Sequence, residues 1–159
     1  MNNLDKPNGA LPFSEIGAYA DIFSAETVII RMIEGLGFRY YWATDGLRDV
    51  DLSYKPSEDS RSSLDVLEHI YGLTDMVMYA LQDKEYPTGT KYEMSFTEYR
   101  TKTLLNLKKM ADMISEGLKV SEVTVKINFG GQSMSFPFWN AINGPLSDAI
   151  WHTGQITSN

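Results

Sequence analysis

From Phe96 to Leu118 the residues Phe96, Tyr99, Thr103, Leu107, Met110, Ile114 and Leu118 recur at alternating steps of three and four. A helix turns once in 3.6 residues, so this spacing gathers them on one face. The other faces carry Arg100, Lys102, Lys108, Lys109, Glu98, Asp112 and Glu116. A helix of this kind gains most of its stability by packing its apolar stripe on a partner. The chain therefore has to supply further helices with matching stripes.

Two more stretches do so. Ser14 is a candidate cap for a helix running to about Tyr41, with Tyr19, Ile22, Phe23, Ile29, Ile30, Ile33, Phe38 and Tyr41 at near-helical spacing. After a long polar connection over 44–61, Ser62 caps a second helix, with Asp65 at the reciprocal position of a capping box. Leu64, Leu67, Ile70, Leu73, Val77 and Leu81 form its stripe, and Pro87 and Gly89 close the element. The period then changes. In Glu122–Phe129 apolar and polar residues alternate, Gly130-Gly131 interrupts, and Ser133–Phe136 resumes, which predicts a small β-hairpin. A last helix carries Phe138, Trp139, Ile142, Leu146, Ile150 and Ile156, and Gly144-Pro145 marks either a kink or its first turn. The simplest solution is an all-α fold, a four-helix bundle with a long first connection and a hairpin between helices 3 and 4. Residues 1–12 read as a polar tail and 13–159 as one domain.

Composition excludes several function classes. The chain holds 14 Lys and Arg against 21 Asp and Glu, a net charge of −7, so no nucleic-acid partner is expected. It has no cysteine, hence no disulfide, thiolate metal site or cysteine nucleophile. No apolar run approaches the ~20 residues of a membrane helix. The first residues lack the basic and apolar regions of a signal peptide, and a cytoplasmic protein is expected. No G-x-S-x-G elbow is present to support a serine hydrolase.

The chain has two histidines, His69 in Leu67-Glu68-His69-Ile70 and His152 in Trp151-His152-Thr153-Gly154-Gln155. Asp148 precedes His152 by four residues, so the two share a helix face. With His69 facing them, they would form a set of two imidazoles and one carboxylate suited to a divalent metal. The bland alternatives are a core histidine at His69 and a solvent-facing i,i+4 pair at Asp148 and His152. Gln155 either orients a ligand or bridges helices. Asp65 is either a cap or a further ligand or base. Trp151 is a pocket or core aromatic, and Gly154 allows close helix approach.

These strings, their order, and Phe138-Trp139-Asn140-Ala141-Ile142-Asn143-Gly144-Pro145 resemble the DinB-like superfamily of bacterial metal-binding bundles. The resemblance spans most of the chain. It implies a metal held by His69, by His152 and by the position between them, where the family usually has histidine and this chain has Asp148. It implies Zn²⁺, Ni²⁺, Mn²⁺ or Fe²⁺ as the cofactor, a homodimer, and an S-transferase using a low-molecular-weight thiol such as bacillithiol or mycothiol. The alternative is a non-catalytic bundle that binds a small molecule or dimerises, its metal site vestigial.

Overall fold

The computed structural model describes residues 10–158. Its helices are α1 (Ala25–Ala43), the short α2 (Asp49–Ser53), α3 (Ser63–Leu81), α4 (Phe96–Ser115), the single turn α5 (Trp139–Ala141) and α6 (Ser147–Ser158). Strands β1 (Glu85–Pro87), β2 (Thr124–Phe129) and β3 (Gln132–Pro137) complete the fold. The four longer helices pack as a ring in which α1 touches α4 and α6, and α3 touches the same two.

The expected all-α class is overturned by the sheet. Its order is β1-β2-β3, with β1 parallel and β3 antiparallel to β2. The hairpin closes at Phe129↔Gln132 through Gly130 and Gly131, both at positive φ (57° and 96°), where glycine is favoured. The third strand escaped the sequence reading because three residues, one of them Pro87, are too few to show alternation. At the sheet edge that proline costs no ladder hydrogen bond on its open side. Pairing of Tyr86 with Ile127 turns both inward, beside Val125, onto the helices.

Three of the long helices open on a serine whose side chain and the third helical residue cap each other: Ser24 with Thr27, Ser62 with Asp65, and Ser95 with Glu98. The expected start at Ser14 is thus wrong by ten residues. Residues 14–24 instead run as a strap over α1, held by Arg31 donating to the carbonyls of Gly17 (3.1 Å) and Ala18 (2.6 Å). Trp42 Nε1 donates to the Ser14 carbonyl, and the Phe13 ring lies where a Cβ on Gly37 would stand. Gly37 thus admits the strap against α1. Residues 1–9 of the expected tail lie outside the described residues.

The connection over 44–61 is not wholly irregular, since it contains α2. Helix α4 stops at Ser115, earlier than Leu118, because Gly117 takes φ 113°. Before α6 the chain passes through a wide π turn at Ile142–Leu146, and Gly144 (φ −103°, ψ −109°) breaks the helical path there. The kink ahead of Ser147 separates α5 from α6. It puts Asp148 in the first turn of α6, where a carboxylate is stabilised by the helix dipole.

Candidate metal centre

Helices α3 and α6 share one seam, and both histidines lie on it. Leu67 and Ile70 on α3 and Ala149, Thr153 and Ile156 on α6 are buried, which anchors both backbones. His69 falls between the first pair, and Asp148 and His152 fall one position from the second set. They therefore reach the rim of the seam, half in water. Their side chains retain 32% (His69), 45% (Asp148) and 14% (His152) of their exposure.

The three converge. His69 Nε2 stands 3.3 Å from Asp148 Oδ2, and His152 Nε2 stands 3.5 Å from Asp148 Oδ1. The imidazole rings meet edge to face, with centroids 4.6 Å apart and planes at 89°. One donor atom from each residue lies within 4.8 Å of the others, so the group can hold a metal ion. Donors ~2.1 Å from a tetrahedral ion lie about 3.4 Å apart, and the two carboxylate–imidazole distances, which run to different oxygens of Asp148, are of that order.

Gln155 fixes the chemistry of His152. Its Oε1 lies 2.7 Å from Nδ1, a contact that favours the neutral tautomer with the proton on Nδ1 and the lone pair on Nε2. In that tautomer the lone pair stands 3.5 Å from a carboxylate oxygen of Asp148, and a cation between them would be held by both. At His69 partial burial is the main influence and lowers the imidazole's affinity for a proton below the ordinary histidine range. The carboxylate of Asp148 works against that shift, while Arg61 and His152 add to it. A histidine kept neutral is the form that ligates.

Of the other residues singled out in the sequence, Gln155 is a partner of His152 and not a bridge between helices. Asp65 serves as the α3 cap: its Oδ2 accepts from the Ser62 N–H at 2.9 Å and from the Ser62 hydroxyl at 2.7 Å. These bonds hold its carboxyl below the usual carboxylate range. Trp151 is 69% exposed and lines the hollows around the triad, so it belongs to the site and not to the core. A Cβ on Gly154 would meet open space, so this glycine opens a hollow and does not bring helices together.

Three depressions surround the group. One of about 570 Å³ includes His152, Arg61, Trp151 and Gly154. One of about 420 Å³ includes His69, Arg61, Glu68, Tyr86 and Tyr92. A third, of about 530 Å³, reaches Asp148 from the side of Gly144 and Pro145. Sequence reasoning missed the tyrosine wall of the second. Tyr92 donates to Asp75 Oδ2 (2.9 Å), its N–H reaches Glu68 Oε1 (3.3 Å), and its hydroxyl lies 3.1 Å from that of Tyr86. Tyr99 donates to the Tyr92 carbonyl and Tyr71 packs edge-on against its ring. Burial pushes the Asp75 carboxyl above its usual range, with the Tyr92 hydrogen bond opposing. No local motif signals this wall, because Tyr92 comes from an irregular segment that only the fold sets beside α3.

No protein-family model, curated protein or solved structure matches the chain. Among the described residues no helix is long and apolar enough to cross a membrane.

Proposed function

We propose that the chain is a divalent-metal protein of the DinB-like type, acting as an S-transferase toward a low-molecular-weight thiol. The observation that supports the metal is the convergence of His69, Asp148 and His152, whose ligand atoms lie within 4.8 Å of one another, with Gln155 Oε1 2.7 Å from Nδ1 of His152. Zn²⁺, Ni²⁺, Mn²⁺ and Fe²⁺ all accept two imidazoles and a carboxylate. Such an ion supplies Lewis acidity that lowers the pKa of a bound thiol. The residues of this chain do the rest. Gln155 fixes the imidazole of His152, Asp148 offers one oxygen to each histidine, and the tyrosine wall shapes the approach past His69. The transferase part of the reading rests on the sequence resemblance and on the absence of a cysteine nucleophile, so that the sulfur comes with the cosubstrate.

The test is conjugation of bacillithiol or mycothiol to a chloromethyl fluorophore, with each metal added in turn. Conjugation above the spontaneous rate, lost on chelation and in His152→Ala, supports the reading. A spontaneous rate with every metal overturns the transferase assignment.

A second reading, self-association with a vestigial triad, is favoured by an apolar face remote from the histidines. Trp139 is 74% exposed and borders a hollow of about 370 Å³ that is lined also by Val28, Met32, Pro137 and Ile142, and Phe23, 93% exposed, lines a second apolar hollow that shares Val28. Trp139→Glu would then lower the solution mass, while His152→Ala would not change it.

A further inference from the structure

The hollows on the two sides of the triad differ in charge. That on the His69 side is lined by Asp65 and Glu68 as well as Arg61. The one on the His152 side contains Arg61 and His152 and no carboxylate. Among the described residues lining the three depressions, Arg61 is the only lysine or arginine. Its guanidinium makes no hydrogen bond or ion pair among the described residues. The nearby carboxylate of Asp65, one turn further along, spends Oδ2 on Ser62. In a chain of net charge −7, a guanidinium that forms no direct ion pair, with only a longer-range attraction to Asp65, stands out beside a metal-type site as an anion anchor.

The rest of the hollow matches a small organic anion. Its volume of about 570 Å³ is that of a small-molecule pocket. The exposed indole of Trp151 forms a flat apolar wall, and Gly154 leaves the floor open where any side chain would fill it. Ser60 and Ser158 add hydroxyls at the edge.

We infer that the hollow between Arg61 and Trp151 is a binding site for a small molecule with an anionic head, phosphate or carboxylate, and a flat apolar body. Arg61 takes the head in a two-pronged contact, Trp151 covers the body, and the far end of the molecule abuts His152. This deepens the functional reading above, on which it rests for the identity of the site as a reaction centre; the binding itself requires only Arg61 and Trp151.

The experiment is a titration of chelator-treated protein with phenyl phosphate and then benzoate, with phenol as the neutral control, read on the indole N–H resonance of Trp151. Saturable shifts for either anion, with phenol and the Arg61→Gln variant at least about tenfold weaker, support the site. Gly154→Leu, which fills the floor and leaves Arg61 in place, should also abolish binding while the melting transition is retained. Equal binding by Arg61→Gln, equal binding of phenol, or no saturable shift with either anion overturns the inference. Comparison of the two anions identifies the head. A parallel metal titration separates the two ideas: anion binding without metal uptake leaves this inference standing and removes the metal reading, and the reverse result does the opposite.

Discussion

Two seams of the helix ring are built from the same kind of amphipathic helix and end up with opposite characters. Between α1 and α4 the central side chains are drawn in: Tyr40, Leu107 and Thr103 have no exposed surface. Arg100 closes the end of that seam by donating to Thr44 Oγ1 (3.0 Å) and lying over the Tyr41 ring (4.8 Å). Between α3 and α6 the deep positions are equally apolar, but the rim is given to His69, Asp148 and His152. There the kink at Gly144 starts α6 afresh, and hollows open on three sides. One seam holds the fold together. The other gives up apolar contact to bring polar donors to one point.

Leu107→Ala, which empties space in the closed seam, should cost about 2–5 kcal/mol in urea unfolding. A loss under about 1 kcal/mol would mean that the seam collapses around the gap and is not the rigid half of the molecule. In the open seam, Gln155→Leu should weaken metal uptake about 10–100-fold while leaving the melting temperature of metal-free protein nearly unchanged. Unaltered affinity in a metal titration would show that Gln155 does not set the tautomer of His152.

The smallest effect concerns the cap that starts α3 and so aims His69. Ser62→Ala should cost about 1 kcal/mol. Because the bonds from Ser62 hold the Asp65 carboxyl below its unfolded value, that contribution is present above the ordinary carboxylate range. It is lost as pH falls through the depressed folded value. The variant should therefore show a shallower acid limb in a plot of stability against pH, and an unchanged limb would assign the acid sensitivity to other groups.

Much of the open seam was legible because its information is local. The Asp148–His152 step lies within one helix, and the Ser62–Asp65 box places the start of α3, hence the face that His69 takes. That α3 and α6 lie side by side was implied by the family resemblance and not by their apolar stripes, which say only that each must pack on some partner. Where sequence reasoning failed, the decisive contact was distant or the signal short. Ser14 has the residue type of a cap, and only the docking of Phe13 on Gly37 and the grip of Arg31 show that residues 14–24 form a strap. Strand β1 exists because β2 offers it a parallel ladder 41 residues further on, as at Tyr86↔Ile127, and not because of its own pattern. Arg61, Tyr86 and Tyr92 join the site from connecting segments and the sheet edge, so no spacing rule could have collected them around His69 and His152.

The central claim is that the open seam is a metal centre. Elemental mass spectrometry on protein purified without a histidine tag, beside His152→Ala, tests it most directly. The account predicts about one equivalent of a divalent transition metal per chain in the wild type and essentially none in the variant. Absence of metal from the wild type after incubation with Zn²⁺, Ni²⁺, Mn²⁺ and Fe²⁺, or equal metal in both proteins, would contradict it.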